Sequence, residues 1–243
     1  MTDSKINARS PLYLQLREVI RNKIESGEYP PGTAIPSENT LAETYGIHRL
    51  SVRSAISSLI YEGLLKSVQG KGVFVNGEKD LRDMEIIGGF KQTMRQLGHT
   101  SSTRIIAKAT RNAGPYYSRR LGIDSEDPIF YIKRVCYAED EPYSLEEIYI
   151  PQTIIKTLPQ VDLELYSLYD IYEFYGIRVS RVEQTLEIEE LDQGDARLLD
   201  VDSSFAVMKF RGTSFDQFGR IVEYARTYTR GDRCIYQVHY ERE

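Results

Sequence analysis

The chain has 243 residues, enough for one large or two modest domains, and its 41% hydrophobic and 28% charged content is that of an ordinary globular protein. It contains no run of about 18 apolar residues that would mark a membrane span and no apolar stretch near the N-terminus that would mark a secretory signal. Its two cysteines, Cys136 and Cys234, lie too far apart in sequence to form a metal-type pair, so a reducing cytoplasm is the simplest compartment. The net charge of -5 is unevenly spread: residues 1–77 hold nine Lys/Arg against seven Asp/Glu, residues 78–243 hold 22 against 29. A nucleic-acid contact in the first part would depend on local placement of cations, and the acidic remainder is expected to stay off DNA.

Residues 1–10 are polar. Pro11 suits a helix start, and Leu12, Leu16, Val19, Ile20 and Ile24 repeat at helical spacing until Gly27. After the rigid turn EYPPGT, Ser37 is expected to cap a second helix with Leu41, Ala42 and Tyr45 inward and Gly46 as its stop. A third helix carries Val52, Ala55, Ile56, Leu59 and Ile60 as one apolar stripe. Arg49, Ser51 and Arg53 lie off that stripe at its N-terminal end, where arginines can meet guanine edges in the major groove. The tight spacing of the last two helices around Gly46 is that of a helix-turn-helix. Leu64–Val68 and Gly72–Val75 then read as two strands joined at Gln69-Gly70-Lys71-Gly72, where glycines permit a tight turn. Lys71 at that tip suits a phosphate or the minor groove.

This stretch resembles the GntR family of bacterial transcription regulators, over roughly residues 10–76. The residues that carry the likeness are Pro36-Ser37-Glu38, Leu41-Ala42, Tyr45-Gly46-Ile47, Val52-Arg53, Ala55, Leu59, Glu62-Gly63-Leu64 and Gly70-Lys71-Gly72-Val73-Phe74-Val75. The resemblance implies a winged helix-turn-helix whose homodimer binds double-stranded, near-palindromic operator DNA. The implied DNA-binding set is Ser37, Asn39, His48, Arg49, Ser51, Arg53, Gln69, Gly70 and Lys71. Many members carry arginine where this chain has Asn39, so one expected charge is absent.

The domain organisation expected is a DNA-binding domain over 1–76, a linker over 77–88, and an effector-binding and dimerisation domain over 89–243. Gly88-Gly89 precedes a short helix bearing Phe90, Met94 and Leu97 and stopped by Gly98. A glycine pair there is either a flexible joint or a set of exposed backbone N–H groups for an anion, with Lys91 adding charge. Thr103–Thr110, Pro128–Ala138, Tyr143–Ile150, Ile177–Ile188, Phe205–Phe215, Ile221–Arg230 and Cys234–Tyr240 read as strands. Leu165, Leu168, Ile171, Tyr172 and Tyr175 mark a helix ended by Gly176, and Asp192 caps another through Leu199. Strands joined by short turns, with a few helices, make an α+β domain with an antiparallel sheet.

Alternation places Ile132, Arg134 and Cys136 on one strand face, Ser144, Glu146 and Ile148 on another, and Glu223, Ala225, Thr227 and Thr229 on a third. Arg134 is either a clamp for a phosphate or carboxylate or the partner of Glu146 in a structural ion pair. Glu146 and Glu223 can accept hydrogen bonds from sugar-like hydroxyls, Glu223 being otherwise an exposed strand charge. Ser167 is an anion donor or an ordinary helix cap.

This half is similar to the UTRA effector domain of the HutC subfamily of GntR regulators. The likeness rests on Gly89-Phe90, Arg134-Val135, Tyr149-Ile150-Pro151, Ser167-Leu168-Tyr169, Ser180-Arg181 with Gln184, Glu223-Tyr224-Ala225 and Tyr228-Thr229-Arg230-Gly231-Asp232-Arg233. It implies a fold like chorismate lyase and a pocket for a small metabolite, a sugar phosphate or other small anion. The implied effector-binding set is Gly89, Phe90, Lys91, Arg134, Glu146, Ser167, Glu223 and Thr229. Phosphosugar-binding members often carry a second arginine where this chain has Cys136, Ser or Thr at Gly88-Gly89, and tyrosine at Thr229.

A lyase-like enzyme is the rival reading, as is a regulator answering to a carboxylate or amino-acid effector. The sequence has no nucleophile elbow, P-loop or HExxH motif. His48, His99 and His239 are scattered, so neither catalytic residues, a metal site nor a cofactor is expected. The expectation is a DNA-binding regulator, a repressor, with a small-molecule effector, a homodimeric state and no membrane association.

Overall fold

The computed structural model describes residues 11–239, apart from 69, 77–79 and 84–87. Gln69 at the wing tip, part of the expected linker and Tyr240 therefore lie outside the described residues. The chain divides into two compact units, Met1–Lys79 and Asp80–Glu243.

The first unit holds α1 (Leu12–Glu25), α2 (Glu38–Tyr45), α3 (Arg49–Tyr61), β1 (Leu65–Val68) and β2 (Gly72–Val75). Its elements begin and end where local chemistry dictates. The Ser37 hydroxyl accepts from Thr40 N–H, and Gly46 closes α2 in the left-handed conformation that glycine adopts without steric cost. Leu16 and Ile20 of α1, Leu41 of α2, and Val52, Ala55, Ile56 and Leu59 of α3 form one buried cluster with Leu65 and Val75 of the hairpin. That burial turns the helical repeat into a fixed three-helix arrangement. The hairpin pairs Leu65 with Val75 and Val68 with Gly72, and Ala34 adds a bridge to Phe74.

The second unit holds β3 (Asp80–Asp83), α4 (Phe90–Gln96), β4 (Ser101–Asn112), α5 (Gly114–Leu121), β5 (Pro128–Ala138), β6 (Glu141–Pro151), a short 3₁₀ turn (Leu158–Gln160), α6 (Leu168–Phe174), β7 (Val179–Glu190), α7 (Gln193–Leu198), β8 (Ala206–Asp216), β9 (Ile221–Arg230) and β10 (Cys234–Gln237). Six strands form an antiparallel sheet in the order β4-β5-β6-β9-β8-β7. The expected α+β class is realised. Alternation divides the sheet into two faces. One packs Phe130, Ile132, Ile148 and Ile150 against Leu168, Ile171 and Tyr172 of α6, and places Cys136 against Phe90 and Met94 of α4. The other packs Ile129, Tyr149 and Tyr224 against Leu121 of α5, and Val135, Leu145 and Val207 against Ala196 of α7.

Two features depart from the sequence expectation. Helix α5 went unread, and the span 77–88 is not all linker. Asp80–Asp83 pair in parallel with Cys234–Gln237, in the register Arg82 to Tyr236. The hydrogen bonds of this ladder, not any local apolar pattern, make the polar segment a strand.

Candidate nucleic-acid interface and ligand cavity

The first turn of α3 is the candidate nucleic-acid surface of the first unit. His48 caps it, its Nδ1 accepting from Leu50 N–H at 3.2 Å, which aims the following residues outward. The Arg49 and Arg53 side chains are 58% and 60% exposed. Both converge on Glu38 at the start of α2: Arg53 Nε and Nη2 donate to its two carboxylate oxygens at 3.2 and 2.9 Å, and Arg49 Nη2 lies 3.6 Å from Oε2. The Arg53 hydrogen bond holds the Glu38 carboxyl below the ordinary carboxylate range. Two cations, eleven and fifteen residues along the chain from one acid, form a presented cluster rather than two mobile side chains. Glu38 was not in the expected set; no local pattern links it to α3, since only the helix-turn-helix crossing brings them together. Asn39 is exposed in the same first turn of α2, Ser51 is half-buried, and Gly70 and Lys71 stand exposed at the hairpin tip. Gly70 there has φ +73°, which only glycine adopts without strain.

The second unit contains a cavity of about 180 Å³ over the sheet face that packs on α4 and α6. β5 supplies Arg134, β6 Glu146, β8 Ser214, β9 Glu223 and Thr227, α6 Tyr169, and the chain before α4 Gly88 and Gly89. The small β3–β10 pair closes one side with Arg82 and Tyr236.

Arg134 is buried; its Nε donates to Glu146 Oε2 at 2.7 Å, and its Nη2 lies 2.7 Å from the same oxygen in an ion pair. Burial opposes the guanidinium charge, but the adjacent Glu146 carboxylate outweighs it and keeps Arg134 firmly cationic. The Arg134–Glu146 ion pair is present, on the wall of the cavity. Glu223 is buried beneath the same space. It accepts from the Tyr172 hydroxyl at 2.7 Å and the Ser214 hydroxyl at 3.1 Å. Burial raises its carboxyl above the usual range, and those two donors oppose the rise. It is therefore not an exposed strand charge.

Gly89, Phe90, Arg134, Glu146 and Glu223 of the expected set line the cavity together. Lys91, Ser167 and Thr229 do not, and each has a physical reason. Lys91 Nζ donates to the backbone carbonyls of Glu164 and Leu165 at 2.6 and 2.9 Å. The Ser167 hydroxyl is occupied as the cap of α6, accepting from Asp170 N–H at 3.1 Å. Thr229 is fully buried, and its hydroxyl accepts from Tyr236 at 3.4 Å, so the tyrosine covers it and Thr227 takes the lining position. Cys136 is fully buried in one cluster with Phe90, Met94 and Tyr143 and is not itself a lining residue. Burial pushes its thiol up to about 12, so it contributes no charge. A Cβ on Gly89 would lie 3.2 Å from Tyr169 Cδ2. The aromatic ring fills the place a side chain would take, which accounts for glycine where relatives carry Ser or Thr.

Arg82, Gln184, Ser214 and Tyr236 are lining residues that the sequence-derived set lacks. Gln184 lies in the stretch that carries the family likeness; the others reach the cavity only through pairings distant in sequence. Among the described residues no cluster of His, Cys, Asp or Glu could hold a metal ion, and no helix is long and apolar enough to cross a membrane.

Comparison with known proteins gives a consistent result. The model for bacterial regulatory proteins of the gntR family matches residues 12–75, and the UTRA domain model matches residues 96–234. The HTH-type transcriptional repressor NagR of Bacillus subtilis (strain 168) is 33% identical over 237 residues, 97% of each chain. The mannosyl-D-glycerate transport/metabolism system repressor MngR of Escherichia coli (strain K12) is 27% identical over 216 residues, 89% of this chain and 90% of its own. The crystal structure of PhnF from Mycobacterium smegmatis matches with a TM-score of 0.67 at 23% identity, over 93% of this chain and 99% of that one. At that identity the likeness speaks for the fold.

Proposed function

Because this chain belongs to the GntR family of bacterial regulatory proteins and carries a UTRA domain, we propose that it is a cytoplasmic, homodimeric repressor. Its operator binding is governed by a small anionic metabolite, a sugar phosphate in first place, held in the cavity of the second unit. DNA binding and transcription regulation come with the family, and the relatives are named regulators, not enzymes. The observation that carries the ligand class is the lining itself: guanidinium groups beside two carboxylates and the hydroxyl and amide groups of Ser214, Thr227 and Gln184. Carboxylates buried among aliphatic and aromatic walls suit hydroxyl donors on a sugar, and guanidinium suits an anion.

A carboxylate-bearing sugar is the second reading. The Escherichia coli relative is named for a mannosyl-D-glycerate system, and that compound joins sugar hydroxyls to a carboxylate. In either case the dimer sets two α3 helices in successive major grooves. The metabolite acts through its differential affinity for operator-competent and operator-incompetent arrangements. The test is a thermal-shift screen of the full chain with hexose 6-phosphates, hexuronates and the neutral hexoses, since a ligand of the native state raises apparent stability. Hits are followed by fluorescence anisotropy on operator DNA. An anionic sugar that stabilises the protein and loosens the operator complex is expected. A panel in which no anionic sugar does either would sink the reading.

A further inference from the structure

We propose that Arg82, on the strand that follows the N-terminal unit, is the contact for the anionic group of the ligand; this rests on the cavity being the effector site. The argument starts from which charges in the cavity are already committed. Arg134 is ion-paired with Glu146, its Nε donating to Oε2 at 2.7 Å. Glu223 receives the Tyr172 and Ser214 hydroxyls. Arg82 differs: its Nη1 donates to the neutral Tyr236 hydroxyl at 3.1 Å, its guanidinium carbon lies 5.3 Å from the centroid of the same ring, and it makes no ion pair among the described residues. A guanidinium has five N–H donors in a fixed fork that matches phosphate or carboxylate oxygens. A cation hydrogen-bonded to a phenol, with the Glu146 carboxylate acting on it only from beyond ion-pair distance, keeps donors for an anion in a way that Arg134 does not.

The placement of Arg82 also gives the ligand a mechanical effect. The boundary between the two units falls at Lys79–Asp80, so Arg82 sits on the first structured stretch after the DNA-binding unit. Strand β3 has four residues and a single partner strand, β10, in parallel register with Tyr236 opposite Arg82. So short a parallel pair is held weakly by its own ladder. An anion bridging Arg82 to the rest of the cavity ties β3 to the main sheet. Anion binding and the order of β3 are then linked, and the linkage is reciprocal.

The test uses the full chain and three forms: wild type, Arg82→Gln and Arg82→Lys. Calorimetric titration is run with a hexose 6-phosphate, the corresponding hexuronate and the parent hexose. Matching thermal melts of the second unit in all three forms without sugar show that the variants fold. The expected result is that Arg82→Gln weakens the better anionic sugar by roughly 10- to 100-fold, the range for a charged hydrogen-bond partner, while the parent hexose binds as in wild type. Arg82→Lys, keeping charge without the fork, should fall between. Unchanged affinity of Arg82→Gln for the anionic sugar overturns the inference and leaves the cavity reading standing. Equal loss for charged and neutral sugars also overturns it, because Arg82 would then be only part of the wall. Failure of the wild type to bind any of the three overturns both.

Discussion

The same chemical pair, arginine with glutamate, occurs in the two units of this molecule in opposite settings. At α3 the pair is wet: Arg53 is 60% and Glu38 28% exposed. In the sheet it is dry: Arg134 and Glu146 are 10% and 12% exposed. In water such a pair contributes little and exchanges partners freely, so a phosphate or a guanine edge can take Glu38's place. In the interior each charge depends on the other to offset lost hydration, so Arg134 is fixed and Glu146 with it. Identical residue types thus make an exposed, exchangeable pair in one unit and a buried, fixed one in the other.

The largest test of this contrast is Arg134→Ala, which leaves a buried carboxylate alone. It should lower the stability of the second unit by about 3–5 kcal/mol, measured by denaturant titration that follows the two units separately. Changing both partners to apolar residues, Arg134→Met with Glu146→Leu, should restore much of that loss. If the single variant is as stable as wild type, the pair is not the fixed element described here. Next in size is Arg53→Ala, whose melting behaviour should match wild type while specific operator binding weakens roughly 10- to 100-fold. Full operator affinity in that variant would remove Arg53 from the interface. The smallest effect belongs to Glu38→Gln. Thermal stability should hold, but the preference for operator over random duplex should fall severalfold because the arginines lose their common anchor; an unchanged ratio would show that Glu38 orients nothing. The pH dependence has a definite sign. Glu38 is held below its ordinary value of 4.5, chiefly by Arg53. Its contribution is therefore present above that value and is lost as the pH falls through the lowered one.

How much was legible beforehand follows the same division between local and distant causes. The helix-turn-helix and wing were legible because Ser37, Gly46, Gly70 and the stripe from Val52 to Ile60 act within a few residues of themselves. The long antiparallel strands were legible from alternation, with ends off by a few residues; β4 runs Ser101–Asn112 where Thr103–Thr110 was read. Helix α5 was not, because GPYYSRRL is only eight residues long and opens on Gly-Pro, which reads as a turn. It is held by contacts made elsewhere, among them Tyr117 stacked on Tyr149 with centroids 4.0 Å apart. In the cavity, alternation found Arg134, Glu146 and Glu223 but could not tell Thr227 from Thr229. That distinction is made by Tyr236, from a strand whose partner lies some 150 residues earlier. Lys91 was assigned by charge and helix position alone, and backbone carbonyls at Glu164 and Leu165 claim it.

The parallel pairing of β3 with β10 also bears on the order in which the chain is made. All the buried residues of the first core cluster lie between Leu16 and Val75, so that unit can complete itself while the ribosome is still early in its work, since domains fold as units from the N-terminal end. Strand β3 follows at once but cannot find its hydrogen-bond partner until Cys234–Gln237 have been synthesised. For most of translation strand β3 therefore has no hydrogen-bond partner, and the side of the cavity lined by Arg82 and Tyr236 is completed only once the far strand has been made.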